Sequence, residues 1–315
     1  MSPILRSLLV LPLLLAGCAL SIDLTPRIRP LEEKTVEGAG REKILLLDLS
    51  GVFAEEPLLT LEGRPRVPLL ARVREELEKA ALDDRVKALV LRINSPGGTV
   101  TASDILYREI VRFKTTRRVP VVAALLDVGA SGGYYVALAA DRIVAHPTAI
   151  TGSIGVLMLT VNAEGLLQKI GVTPTAIKSG EKKDMGAPFR ALSPEEHAIF
   201  QSVIDQLHAR FVGLIARERK LPEARVRALA DGRILTAAEA HAAGLVDAVG
   251  YLDEAVGAAR EAAGLGAARV VMYHRPKQYR ATIYSAAEPA PPTLSAADLA
   301  RLILAGPKFL YLWWP

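Results

Sequence analysis

Apolar runs of strand length recur along the first half of the chain, at 43–49, 87–93 ("KALVLRI"), 119–125 and 142–145. Stretches with helical spacing of apolar residues separate them, at about 67–82, 101–115 and 131–140. Runs that lack polar alternation fit strands covered on both faces, and strands alternating with helices predict parallel βαβ units. Two further short strands are predicted at 155–160 and 174–178, with a helix between them. The C-terminal half is more helical. Ser193, Pro194 and Glu196 form a capping-box start, and Ile199, Phe200, Val203, Ile204, Leu207, Phe211 and Ile215 follow at helical spacing. Thr236 and Glu239 repeat the box, and Gly244 marks a stop.

The ends of the chain break this rhythm. At the N-terminus, Arg6 is the only charge in "MSPILRSLLVLPLLLAGCALS", and an apolar run from Leu8 to Ala16 leads into Gly17 and Cys18. The run is too short for a spanning helix, which needs about 20 apolar residues, and it reads as a secretory signal. Residues 19–41 carry prolines and mixed charge and read as a tether. Residues 42–275 form the main domain, and 276–315 a proline-rich linker ("SAAEPAPPT") and an apolar tail ("LARLILAGPKFLYLWWP"). The tail is too short to span a bilayer. It suits either the membrane–water interface or packing on a neighbouring subunit or the protein's own core.

Composition narrows the classes. The 315 residues are 50% hydrophobic and 23% charged, as in a globular protein. The net charge of +5 is scattered, with no basic cluster interleaved with aromatics, so nucleic-acid binding is not expected. The single cysteine, Cys18, excludes a disulfide framework within the chain. No zinc-ligand spacing and no phosphate-binding G-x-x-x-x-G-K-[ST] loop is present, so no metal or cofactor is expected.

The candidate chemistry lies in "DVGASGGYY", where a predicted strand meets a predicted helix at Ser131. A glycine-flanked serine at such a turn exposes its hydroxyl, and the helix start offers free N–H groups that can stabilise an oxyanion. An ordinary serine cap has the same appearance, and Val128 stands where a G-x-S-x-G elbow needs glycine. "LRINSPGGTVTASDIL" repeats the strand–glycine–helix layout, so Gly98 is placed to present an N–H toward a carbonyl that Ser131 attacks. A nucleophilic serine needs a base. Three of the five histidines fall in long helical patterns, and only His146 is near Ser131 in sequence. The other source is lysine, and "AIKSGEKKDMGAPFR" offers Lys178, Lys182 and Lys183. A lysine base must be neutral, so its ordinary pKa of ~10.4 has to be lowered. Residue types alone leave the three lysines equivalent.

"RINSPGG", "ASGGYY", "TGSIGV", "IKSGEKKDMGAPFR…SPEE" and "DGRILTAAEAHAAGLVDAVG" occur in an order that resembles the short form of the bacterial signal peptide peptidase A, or protease IV, family. The resemblance covers about residues 43 to 260. It implies an α/β fold of the Clp protease/crotonase type: repeated ββα units, a parallel sheet and a helical C-terminal half. It also implies a Ser-Lys dyad of Ser131 and Lys183, oxyanion donors at Gly98 and Gly132, and Ser153 orienting the lysine. The N-terminus resembles a bacterial lipobox, which implies cleavage before Cys18 and lipid attachment to its thiol; the competing expectation is a short uncleaved anchor. The implied protein is an extracytoplasmic, membrane-tethered serine endopeptidase, lipid-anchored through Cys18. It degrades signal-peptide remnants and other apolar peptides through an acyl-enzyme, and it forms a ring-like homo-oligomer. The competing functions are an inactive peptide-binding scaffold and a crotonase-like acyl-CoA enzyme.

Overall fold

The computed structural model describes residues 30–55, 67–276, 282–285 and 308–313. The signal-peptide and lipobox readings, Cys18 included, lie outside the described residues, as does most of the proline-rich linker.

The apolar runs become β2 (Glu42–Ser50), β3 (Val86–Ser95), β5 (Val121–Ala130) and β6 (Arg142–Ala145), hydrogen-bonded side by side and all parallel. Their side chains alternate between two cores. Leu45, Leu47, Leu89, Leu91 and Ala123 pack on one face, while Ile44, Leu46, Val90 and Val122 pack on the other. Because both faces are covered, both parities are mainly apolar, and the buried Asp48 and Arg92 that interrupt them pair with each other at 2.8 Å.

Helices α1 (Leu69–Ala81), α2 (Val100–Arg117) and α3 (Gly132–Ala137) lie where helical spacing predicts them. They cover the first face together with α5 (Pro194–Arg219). Leu252, Ala255, Val256 and Ala259 of α8 (Leu252–Ala262) cover the second. The predicted caps form: Ser193 and Glu196 close a capping box on α5, and Thr236 and Glu239 close one on α7 (Ala237–Ala243). Gly244 ends α7 in the left-handed conformation at φ 82°. The short helices α4 (Glu164–Lys169) and α6 (Glu223–Leu229) complete the helical set of the described residues.

Several strands are less visible in the sequence. β1 (Glu32–Gly38), within the stretch read as a tether, pairs antiparallel with β11 (Ala268–His274), which pairs parallel with β2. β1 is almost wholly exposed, so no apolar pattern marks it. β10 (Ala248–Val249) extends the other edge. The resulting order is β1-β11-β2-β3-β5-β6-β10, with β7 (Ile150–Gly152) on β5 and β9 (Ile234–Thr236) on β7. The predicted strand at 174–178 does not form. Pro174 interrupts the run, Ile177 is fully exposed, and among the described residues no neighbouring edge pairs with it. The predicted strand at 155–160 contracts to β8 (Leu157–Met158).

β8 belongs to a second, three-stranded sheet with β4 (Gly97–Thr99) and β12 (Phe309–Leu312), in the order β4-β12-β8. Both pairings are antiparallel. Leu310, Tyr311 and Leu312 are buried, so this part of the apolar tail packs within the protein's own fold.

Candidate active site

β5 is a split strand. Its first half pairs with β6 through Leu125, and its second half pairs with β7 from Val128 to Ala130. Asn94 bridges the break, its side-chain oxygen accepting from the Val128 N–H at 3.1 Å. The second half carries Ser131 beyond the sheet to the start of α3, and the Ser131 N–H donates to the Gly152 carbonyl at 2.8 Å.

Ser131 sits at φ 50°, ψ −115°. Among the described residues only four non-glycines have positive φ, and two of them, Arg118 and Lys220, are left-handed helix caps. The other two are Ser131 and Ser153. Ser153 directly follows the β5–β7 pair Ala130↔Gly152, one position beyond the partner of Ala130, so the two serines continue adjacent strands. Backbone held this way costs about 1–3 kcal/mol per residue and persists only where the surroundings enforce it. Here they do: the Ser153 N–H donates to Arg233 O at 2.7 Å, and the Tyr135 N–H donates to Ser131 O at 2.9 Å. Ser131 is 1% exposed, and its Oγ has no hydrogen-bond partner among the described residues. The side chain therefore does not act as a helix cap, which would use that oxygen as an acceptor.

The "SPGG" loop packs directly on this turn. Gly97 has φ 102°, and a side chain there would start 2.6 Å from the Gly132 nitrogen and collide with the Tyr311 carbonyl. A side chain at Gly98 would run into the Phe53 carbonyl, and one at Gly132 into Ser103 Oγ. Phe53 fixes the orientation of this loop. Its N–H donates to Gly97 O, and its carbonyl accepts from the Thr99 N–H, each at 2.8 Å. The peptide groups of Gly98 must then point to the opposite side, toward β12. Ser95 Oγ anchors the base of the loop, donating to Gly51 O at 2.6 Å and accepting from Gly97 N–H at 3.1 Å. Thr151 Oγ1 donates to Gly129 O at 2.7 Å, bracing β5. Gly97, Ser95, Asn94 and Thr151 were not singled out by sequence reasoning. For Gly97 the adjacent glycines of "SPGG" were the available signal; the other three act through contacts far apart in sequence.

Behind the site, Tyr135 donates to Asp104 at 2.6 Å, and Arg210 also reaches Asp104 at 2.7 Å. Burial alone would raise the Asp104 carboxyl, but Arg210 and Tyr135 outweigh it and hold it below its ordinary value. Burial, reinforced by Asp104, pushes the Tyr135 hydroxyl well up.

The structure brings Ser131, Gly98, Gly132 and Ser153 together. It does not bring Lys183 to them. Lys183 lies in a single 3-10 turn, Glu181–Asp184, and is exposed. Among the described residues Ser131 Oγ bonds to no lysine and to no histidine. The loop carrying Lys183 is clamped at its far end by Arg190, which bridges Asp184 at 2.8 Å and Glu196 on α5. Arg190 and the Ser193 N–H hold Glu196 down at about 2, and Arg190 and Lys178 hold Asp184 well below the usual carboxylate range. Among the described residues no group of His, Cys, Asp or Glu is placed to hold a metal ion, and no helix is long and apolar enough to cross a membrane.

The sequence model of peptidase family S49 matches residues 114–266. A protein of Enterococcus faecium provisionally named signal peptide peptidase SppA is 36% identical over 245 residues, covering 77% of this chain and 70% of its own. A protein of Synechocystis provisionally named a protease is 40% identical over 225 residues, covering 71% of this chain and 76% of its own. Protease 4 of Salmonella typhi is 38% identical over 190 residues, which is 60% of this chain and 30% of that longer protein.

Proposed function

The chain belongs to peptidase family S49, the family of signal peptide peptidase A and protease IV, and from that premise we propose a membrane-tethered endopeptidase in which Ser131 is the nucleophile and Lys183 the base. The observation that carries this reading is Ser131 itself: strained, buried, with an unpartnered Oγ, and packed against two glycine-lined turns. A buried hydroxyl with no partner is costly, and such a group marks a site kept for chemistry.

In the proposed reaction, neutral Lys183 takes the proton as Ser131 Oγ adds to the peptide carbonyl. The N–H groups of Gly98 and Gly132 receive the developing oxyanion. Lys183 then gives the proton to the leaving amine, and an acyl-enzyme forms on Ser131. Water, deprotonated by the same lysine, releases the acid product and restores Ser131. Ser153 orients the lysine amine. The substrates are signal-peptide remnants and other apolar peptides, met at the extracytoplasmic face of a membrane to which Cys18 tethers the chain.

The base comes from a second copy. Lys183 is exposed on a segment whose apolar residues Leu159, Val161, Leu166, Ile170, Ile177 and Phe189 are also exposed. Burying that segment against a neighbour in a ring-like homo-oligomer covers the apolar surface and delivers Lys183 to the neighbouring Ser131. Mixing inactive Ser131→Ala and Lys183→Ala proteins tests this. Reassembled mixtures recover activity if the dyad is shared between subunits. Lack of recovery in verified mixed oligomers rules out the shared dyad.

A further inference from the structure

The path of β5 to Ser131 rests on a mismatch with β3. Between the pairs Ile93↔Leu125 and Ser95↔Gly129, β3 contributes Asn94 alone, while β5 contributes Leu126, Asp127 and Val128. β5 therefore carries two residues in excess, about 6.6 Å of extended chain, and Leu126 and Asp127 bulge out of the ladder. Leu126 is half-buried and Asp127 is exposed, as expected of residues that leave the sheet. The same two residues separate the β6 pairing, which ends at Leu125↔Ala145, from the β7 pairing, which begins at Val128↔Ile150. An excess of two preserves the alternation of faces beyond the bulge, so the inward and outward pattern alone does not exclude a closed register.

Asn94 supplies what the ladder lacks at this point. Its side-chain oxygen accepts from the Val128 N–H at 3.1 Å, one residue before Gly129 rejoins β3. Asn94 is itself fixed from the other side: it pairs with Ser50 of β2, and its carbonyl accepts from the Gly51 N–H at 2.9 Å. Val128 is buried, so an acceptor lost there is not replaced by solvent and leaves a costly orphan donor. Beyond Val128 the strand continues through Gly129 and Ala130, paired with β7 and braced by Thr151, to Ser131. The placement of Val128 is thus passed to Ser131 over three residues. Asn94 also precedes Ser95, whose Oγ anchors the Gly97 loop. One side chain therefore references the strand that carries Ser131 to the loop that carries Gly98.

Building on the reading of Ser131 as the nucleophile, we propose that Asn94 is a positioning residue: its side-chain oxygen locks the two-residue bulge of β5 and so sets Ser131 in register with Gly98 and Gly132. Closing the bulge draws Ser131 back by about 6.6 Å. Smaller slips also matter, because a misplacement of about 1 Å costs about 10² in rate. The lock acts on the alignment of the reacting groups, so its loss falls on kcat more than on KM.

The test uses the full-length, assembled protein with Asn94→Ala, which removes the acceptor, and Asn94→Asp, which keeps an oxygen at the same reach. Asn94→Ala is expected to lower kcat on one peptide substrate at least about a hundredfold, with KM changed less than about threefold. Hydrogen exchange of residues 126–131 is expected to rise at least about tenfold, because the Val128 N–H loses its partner. Asn94→Asp is expected to assemble and to hold kcat within about tenfold of the unsubstituted protein, since a carboxylate accepts the same hydrogen bond. Assembled Asn94→Ala with undiminished kcat, or with unchanged exchange at 126–131, overturns the lock. Asn94→Asp that fails to assemble, or that loses more than about tenfold in kcat, overturns it as well, whether or not Asn94→Ala assembles. Full activity of Ser131→Ala is a different failure: it removes the nucleophile reading on which the proposal stands, while the exchange result still reports on the bulge.

Discussion

Gly97 and the Gly132 nitrogen stand so close that a side chain on Gly97 would begin 2.6 Å from that nitrogen. The contact joins two turns separated in sequence by all of α2 and β5, and it is possible only because residue 97 has no Cβ and takes φ 102°. Gly97→Ala is expected to lower stability by about 1–3 kcal/mol and to push the Gly98 N–H out of position. Denaturant unfolding and kcat/KM on one peptide substrate check it. The expected kcat/KM loss exceeds about tenfold, beyond what the fraction unfolded explains, since losing one oxyanion donor alone costs about 10²–10³.

Ser131→Ala and Lys183→Ala are each expected to cut kcat by at least about a thousandfold while leaving the fold intact, because groups that act as a unit fail together. Lys182 instead pairs with Glu195 at 2.6 Å on the protein surface. Lys182→Ala is expected to retain most activity. Peptide hydrolysis and labelling by a serine-directed covalent probe separate the three variants. A dead Lys182→Ala beside an active Lys183→Ala reverses the base assignment.

The lysine mechanism sets the direction of the pH profile. Only a neutral amine accepts the serine proton, so kcat/KM is expected to rise from about pH 6 toward about pH 9. A rate falling steadily over that interval contradicts a lysine base.

The Asp184–Arg190–Glu196 clamp responds to acid. The folded pKa of Glu196, about 2, lies below its ordinary 4.5. Its contribution is complete above the ordinary value and is lost as pH falls through the folded one. Asp184 is shifted in the same direction. Hydrogen exchange of residues 181–190, corrected for intrinsic rate, is expected to accelerate as pH drops from about 5 to about 2. Arg190→Ala is expected to show the accelerated exchange already near neutral pH. Unchanged exchange in that variant means the clamp does not hold the Lys183 loop.

The central strands were legible because burial on both faces leaves a mainly apolar run without alternation, a local signature that needs no knowledge of neighbours. The starts of α5 and α7 were legible because a capping box is satisfied within four residues. Ser131 and Gly98 were reached from motifs at strand–helix junctions, and Gly132 and Ser153 from the family resemblance; the folded sheet brings these positions to one place. β1 escaped because an exposed edge strand carries no burial pattern, and 174–178 was misread because strand propensity has no effect without an edge to pair with. The tertiary structure alone decided the split of β5, the strained backbone at Ser131 and the contact of Gly97 with Gly132. It also decided where residues 309–312 of the tail go. The apolar composition of "FLYLWW" suited a membrane, a neighbour or a core equally well, because hydrophobicity does not specify a partner. The seating of Tyr311 opposite Gly98 follows from backbone pairing and a shaped aromatic pocket, and both exist only once distant segments have come together.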